Sequence, residues 1–434
     1  MERPVVQTAV KGYFVAVAVL MYYFLTETIN LGVFVSYRHA FALVLACSAV
    51  LLFLIRPNVA RGVVAVKATL VCCTPLLVTV FVSLFIWFEG QADVEVIARG
   101  LSGAFIYSNM LSFTLAAAAF LYIFGEKGIW YNLIAILIAN LLMILTIIAQ
   151  NGLGTFLSEF VTLIVTFAAQ TGDVIVQAEI HELAFCLGAY LIYMLLKPRR
   201  NIPFLLLLLL AGFCFLAAFK RIGIIAIVVV LGFGWFLQFV ARYKRDTAYR
   251  LTVFFTVAVV VLLIGYIAII KMNAFALLEE LGIETSGRVE IYQAVDRFYE
   301  FSPDFLGNGI GFLTYQLSTN LSVGVFSVHN DFLQHFIDLG FWGYIFWLLS
   351  MTVVKVCYFG GKGKCDHGIV TFALSLYLVL VSSTDNTMNY PLLTTVLAIL
   401  MIGHGFDQKV QTTEQRLFGY VSEVNRRTGD ETIL

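Results

Sequence analysis

Charge is what this 434-residue chain has least of. Asp, Glu, Lys and Arg make up 12% of it against 61% hydrophobic residues. Soluble domains carry roughly 25% charged residues, so a water-soluble globule is excluded and an integral membrane protein is indicated. Other absences narrow the field. The first apolar stretch has polar flanks and no small-residue cleavage site, so it reads as a retained helix, not a signal peptide. Cysteine is sparse, with Cys47, Cys72, Cys73, Cys186, Cys214, Cys357 and Cys365 all placed in helices or on the inner face. That argues against a disulfide framework or a thiolate metal cluster. Asp93 and Glu95 alternate in one outer loop without a third ligand, so no metal site is expected. No internal repeat suggests the inverted halves of a secondary transporter, and nothing resembles a soluble catalytic module.

What is present is a ladder of apolar runs. A spanning helix needs about 20 apolar residues, and about twelve stretches qualify. They lie near 13–29, 39–55, 64–88, 97–124, 129–149, 181–197, 202–218, 222–240, 251–270, 336–356, 367–383 and 391–405. The expected architecture is an all-α polytopic membrane domain over 1–405, followed by a polar cytoplasmic tail over 406–434. Residues 150–180 contain no Lys or Arg, and the apolar stretch 156–169 within them is too short to span; it is expected to lie in the interface or re-enter the membrane.

The few charges are unevenly spread. With the N-terminus cytoplasmic, 20 of the 27 basic residues fall on the inner side. The outer side keeps seven: Arg38, Arg99, Lys220, Arg221, Lys271, Arg288 and Arg297. Positive residues mark cytoplasmic loops, so both termini are expected in the cytoplasm. The one long polar excursion, 271–335, between the ninth and tenth spans, is then outside.

Two patches on that excursion, Ser286-Gly287-Arg288 and His329-Asn330, stand about 41 residues apart. After Arg288, the residues Val289, Ile291, Tyr292, Val295, Phe298 and Tyr299 follow a helical apolar pattern, so Arg288 opens a helix. Its planar fork suits bidentate contact with phosphate, and a helix start adds N–H donors for an anion. The bland alternative is an arginine paired with Glu284 or Glu290 on a solvated face. Asn308-Gly309-Ile310-Gly311 reads as a tight, mobile turn. His329 and Asn330 immediately precede the apolar run 332–350, where Asn330 or Asp331 is a natural cap. A histidine here can take a proton from a hydroxyl or donate a hydrogen bond, or serve as a polar anchor. Lys220 and Arg221, in Phe219-Lys220-Arg221-Ile222-Gly223, defy the positive-inside bias at the outer boundary; snorkelling to headgroups is the alternative. Asp385 and Asn386, in the outer turn before Pro391, are candidates for binding sugar hydroxyls, as are Tyr292, Asp296 and Asn308. A solvated turn is the competing reading for each.

Taken in order, the outward Arg221 at a helix start, Ser286-Gly287-Arg288, Asn308-Gly309-Ile310-Gly311, His329-Asn330 and Leu339-Gly340-Phe341-Trp342-Gly343 resemble the O-antigen ligase and polysaccharide polymerase superfamily. The resemblance covers roughly residues 215–350. It implies a GT-C-like membrane glycosyltransferase that needs no metal, cofactor or nucleotide sugar. The implied donor is a polyprenyl (usually undecaprenyl) diphosphate-linked glycan on the outer face of the cytoplasmic membrane. By position, Arg221 and Arg288 would contact the diphosphate, and His329 would orient or deprotonate the acceptor hydroxyl or share in phosphate binding. Lys220, Tyr292, Asn308, Asn330, Asp385 and Asn386 complete the expected site. The implied partners are the lipid-linked donor, a glycan acceptor and the bilayer, with a chain-length regulator and a repeat-unit flippase as further candidates; nucleic acid is not among them. The loop is more acidic than the family's usual, with Glu279, Glu280, Glu284, Glu290, Asp296, Glu300 and Asp304. That favours a polymerase over a ligase whose acceptor is rich in phosphate.

Overall fold

Helices make up most of the described backbone. The computed structural model describes residues 4–24, 28–30, 34–89, 94–166, 181–218, 220–280, 287–319, 328–361, 363–387 and 390–428. Helix α1 (Pro4–Tyr23) leads into a small antiparallel hairpin, β1 (Thr28–Asn30) and β2 (Phe34–Ser36), with Thr28 opposite Ser36. Helices α2 (Tyr37–Ile55), α3 (Val59–Cys72), α4 (Thr74–Phe88), α5 (Val94–Phe124), α6 (Gly128–Asn151) and α7 (Leu153–Thr166) follow. After them come α8 (His181–Leu196), α9 (Ile202–Ala217), α10 (Arg221–Tyr243) and α11 (Arg245–Lys271). The long polar segment carries short helices α12 (Ala274–Glu280), α13 (Arg288–Val295) and α14 (Phe312–Thr319). The chain closes with α15 (Asp331–Met351), α16 (Val353–Phe359), α17 (Cys365–Ser382), α18 (Pro391–Gly403) and α19 (Phe406–Thr428).

Local signals set the helix starts. The Asn58 and Asn201 side chains accept the N–H groups of Arg61 and Phe204, each at 2.9 Å. Such caps satisfy donors that a helix start leaves orphaned. Proline stands in the first turn of α4, α9 and α18, where its missing N–H costs nothing.

Burial separates the inside of the bundle from its lipid face. In α17, 89% of the apolar window is buried, against 17% in α2. α17 packs on α8, α10, α11 and α16, and α18 packs on α5 and α8. On the outside, Phe81, Phe88, Leu206, Val228 and Leu262 are more than half exposed. An apolar surface on this scale belongs in lipid.

Among the described residues, six helices are long and apolar enough to cross a membrane, or seven if the bent pair α3–α4 is one span. The architecture is therefore that of a multi-pass helical membrane protein. The difference from twelve expected runs has identifiable causes. The runs near 181–197, 202–218 and 391–405 form helices of 16, 16 and 13 residues. At 1.5 Å per residue the last reaches about 20 Å, short of a hydrocarbon core of about 30 Å. The run 64–88 is broken at Cys73 into α3 and α4, inclined by 51°. The stretch 156–169 is represented by α7, which packs on α6; residues 167–180 lie outside the described set.

α15 departs furthest from a plain span. Gly340 within it has φ 72° and ψ −178°. His335 stacks on Trp347 with ring centroids 4.0 Å apart, although twelve residues of straight helix would part them by about 18 Å. The halves 331–339 and 341–351 therefore bend against each other at Gly340. A Cβ there would stand 2.3 Å from the Leu306 carbonyl oxygen and 2.5 Å from the Gly307 nitrogen. Only glycine accepts both that φ and that approach.

This bend seats the polar segment. The Phe341 N–H donates to the Phe305 carbonyl at 2.9 Å. The Asn308 and Gly309 N–H groups donate to the Asp338 carbonyl at 3.1 and 2.7 Å. The Gly311 and Leu313 N–H groups donate to the Asp338 carboxylate at 3.2 and 3.1 Å. The turn expected to be mobile at Asn308–Gly311 is thus tied down by a buried acid that the sequence did not single out.

Candidate functional site

Arg288 opens α13, as the apolar spacing after it predicts, and Gly287 before it takes φ 72°. Val289, Ile291, Tyr292 and Val295 turn inward, which fixes the helix and with it the arginine. The guanidinium Nη2 donates to the Thr384 carbonyl at 2.7 Å. Ser286 lies outside the described residues.

His329 precedes α15 with φ 51°. A non-glycine residue in the left-handed region costs on the order of 1–3 kcal/mol, and such strain persists where the surroundings enforce it. The surroundings here are dense. The Asn330 side chain is fully buried and accepts the N–H groups of Phe332 and Leu333 at 3.1 and 3.2 Å. Its amide donates to the Tyr266 and Tyr292 hydroxyls at 3.1 and 3.0 Å. All four of its hydrogen-bonding positions are filled. Burial pushes the Tyr292 hydroxyl above its ordinary pKa, so it stays a neutral phenol.

The third component is the turn between α17 and α18. Thr384 meets Arg288, as above. Asp385 meets Lys220 at 3.4 Å, and its other oxygen accepts from the Asn386 N–H at 2.8 Å and the Tyr390 hydroxyl at 3.2 Å. The Asn386 amide reaches His329 Nδ1 at 3.3 Å, and the Tyr266 hydroxyl donates to the Ser383 carbonyl at 3.2 Å. Three successive residues of one turn therefore receive an arginine, a lysine and a histidine from three separate stretches of chain. Thr384 Oγ1 and Asn386 Oδ1 are buried without a hydrogen-bond partner among the described residues. Burial pushes the Tyr390 hydroxyl upward, and the nearby carboxylates of Asp385, Glu182 and Asp331 add to it.

The cations sit where helix stability alone would not place them. Lys220 is the N-cap of α10, Arg221 its first residue, and Arg288 the first residue of α13. Helix N-termini carry partial positive charge and favour anions by about 0.3–1 kcal/mol. Cations at two such ends build a field suited to an anion held between them.

With Asn386 donating to Nδ1, the ring hydrogen of neutral His329 sits on Nε2, and the imidazole presents a donor suited to a phosphate oxygen. Turning the amide by 180° would bring Oδ1 to Nδ1–H and leave the Nε2 lone pair open to a hydroxyl proton. The orientation of the Asn386 amide thus bears on which nitrogen His329 presents.

Of the expected site residues, Lys220, Arg288, His329, Asn330, Tyr292, Asp385 and Asn386 fall in this one network. Arg221 is exposed beside Lys220 and makes no hydrogen bond or ion pair among the described residues. The Asn308 amide donates to the Phe298 and Ile337 carbonyls at 3.3 and 3.0 Å, bracing its own turn. Asp296 pairs with Lys271 at 2.9 Å. Sequence reasoning missed Tyr266, Thr384 and Tyr390. Thr384 contributes a backbone carbonyl, which leaves no trace in residue type.

A largely helical membrane bundle with cations, a strained histidine and amide groups at one end defines a class: multi-pass membrane proteins with a charged, hydrogen-bonded cluster gathered at one end. Residues 204–348 match the family model described as O-antigen ligase, which supports the resemblance to the O-antigen ligase and polymerase superfamily. The matched segment contains Lys220, Arg221, Arg288, His329 and Asn330 and ends before the turn at 384–386. No curated protein matches the chain.

Proposed function

We propose that this protein is a membrane glycosyltransferase that polymerises polyprenyl-diphosphate-linked oligosaccharide repeats. It works on the outer face of the cytoplasmic membrane, in capsule, exopolysaccharide or O-antigen synthesis. The observation that carries this reading is the meeting of Arg288, Lys220 and His329 at Thr384, Asp385 and Asn386. In the proposed step, a hydroxyl oxygen of the incoming repeat bonds to the anomeric carbon of the nascent chain with inversion. The bond from that carbon to the diphosphate oxygen breaks, and its electron pair leaves with the diphosphate. Arg288, Arg221 and Lys220 hold the growing negative charge, the kind of fixed electrostatic stabilisation that supplies much of a rate enhancement. His329 orients the acceptor and takes its proton, or adds a donor to the phosphate. Tyr292, Asn308, Asn330, Asp385 and Asn386 shape the ground on which the sugars rest.

Polymerase is favoured over ligase by the charge of the long outer segment. Of its three cations, Lys271 is consumed: its ammonium reaches the Asp296 carboxylate and the Asp296 and Tyr299 carbonyls, each at 2.9 Å. Arg297 lies over the Phe298 ring at 4.9 Å. Little cationic surface is left for an acceptor rich in phosphate. The description of the matched family favours the second reading, a ligase that transfers the lipid-linked glycan to a distinct acceptor.

Purified protein supplied with a defined polyprenyl-diphosphate oligosaccharide separates the two. A product ladder from lipid-linked repeats alone supports the polymerase, and transfer that requires another acceptor supports the ligase. A flippase would differ again: Arg288→Ala or His329→Ala would then block export of the repeat and leave lengthening intact.

A further inference from the structure

A second polar cleft opens at the far end of α10, about 32 Å along that helix from Arg221 at 1.5 Å per residue. Its volume is about 430 Å³, and Lys197, Trp235, Gln238, Arg242, Arg245 and Asp366 contribute to its walls. Four stretches of chain build it: the end of α8, the last turns of α10 and the starts of α11 and α17. The Gln238 amide donates to the Leu196 carbonyl at 2.8 Å, which clamps two of those walls together.

Three cations face one acid here. Lys197 pairs with Asp366 at 3.5 Å, which leaves the charges of Arg242 and Arg245 unbalanced. Neither arginine has an ion pair among the described residues. Arg245 is also the first residue of α11, whose N-cap Lys244 makes no side-chain cap bond, so the positive helix end adds to theirs. The flank of the cleft is apolar: Trp235, Phe236 and Phe239 are 51%, 47% and 56% exposed. These residues stand on a helix long and apolar enough to span a membrane. A cationic cleft at the polar end of a lipid-facing helix, beside an exposed tryptophan, lies at the depth where headgroups sit.

We infer that this cleft binds the phosphate of an anionic phospholipid headgroup, held between Arg242 and Arg245, with the acyl chains lying along Trp235 and Phe239. A soluble anion would need the two arginines alone, whereas a lipid uses both the charge and the aromatic flank. The site is separate from the glycan chemistry and does not depend on it.

The test is lipid binding to the full chain in detergent, read by native mass spectrometry with phosphatidylglycerol and phosphatidylcholine of matched acyl chains. Phosphatidylglycerol should bind at least about tenfold more tightly. The double variant Arg242→Gln/Arg245→Gln should lose roughly thirtyfold in that affinity, taking about fivefold for each cation near an anionic headgroup. Arg250→Gln, exposed on the same helix α11 but not part of the cleft wall, should bind as the parent does. Equal binding of the two lipids, or a double variant that binds phosphatidylglycerol unchanged, would overturn the proposal. So would full competition by inorganic phosphate at lipid concentrations, which would assign the cleft to a soluble anion. Both arginines are exposed, so the variants should fold, and size-exclusion profiles verify that.

Discussion

Two polar turns at the same end of the bundle, 305–311 and 382–387, are built on opposite terms. The first spends its polar groups on the protein itself. Asp338 and Ser83 take up its N–H groups, its Phe305 carbonyl accepts from the Phe341 N–H, and the Asn308 side chain closes onto neighbouring carbonyls. The second offers its groups to side chains arriving from elsewhere, and it keeps Thr384 Oγ1 and Asn386 Oδ1 buried without partners among the described residues. Buried polar groups ordinarily find hydrogen bonds, so the two turns divide the work. One is scaffold, and the other holds the groups on which the proposed chemistry rests.

The largest effect should come from breaking the scaffold turn. Gly340→Ala puts a Cβ against the Leu306 carbonyl at a positive φ, a combined cost of about 2–5 kcal/mol. Yield of monodisperse protein and its melting temperature should collapse; a well-folded variant would show that the bend does not seat the turn. Next come substitutions at the site turn's partners. Arg288→Ala and His329→Ala should each lower glycan transfer by about 10²–10³-fold while the melting temperature stays near that of the parent. Arg288→Lys should recover part of the loss. Retained lengthening in either alanine variant would remove that residue from the mechanism.

A smaller effect separates the two roles of the histidine. Asn386→Asp offers only acceptors to His329 Nδ1, which holds the proton there and frees Nε2 as a base. If His329 takes the acceptor's proton, the rate should hold or rise and its pH profile should shift; if it donates to phosphate, the rate should fall about tenfold or more. The smallest change should follow Lys271→Met. Its bonds are partly exposed, so stability should fall by about 1 kcal/mol with product length and rate unchanged. A loss of transfer as deep as that of Arg288→Ala would erase the distinction between scaffold cations and site cations.

Much of the site was legible in residue order. Apolar positions at helical spacing after Arg288 located its helix, and polar residues before an apolar run narrowed the cap to Asn330 or Asp331, of which Asn330 caps. What escaped the sequence was distance along the chain. Arg288 and Thr384 are 96 residues apart and Lys220 and Asp385 are 165 apart, and a short turn of Thr, Asp and Asn reads equally well as solvated. The bend at Gly340 also escaped, because a glycine inside an apolar run fits a straight helix until its φ is known. The count of long apolar helices among the described residues differs from the twelve expected runs for a related reason. Hydropathy reports that a stretch is apolar, whereas crossing needs length, and α8, α9 and α18 are short.

The half-helix from Asp331 to Leu339 has one more consequence. It is a stiff rod about 13 Å long at 1.5 Å per residue, with Asn330 and the imidazole at one tip and the Asp338 anchor near the other. Displacing the turn that the Asp338 carboxylate holds would move this rod as a unit and shift His329 at its opposite tip. The scaffold turn and the histidine thus hang on the two ends of a single stiff element.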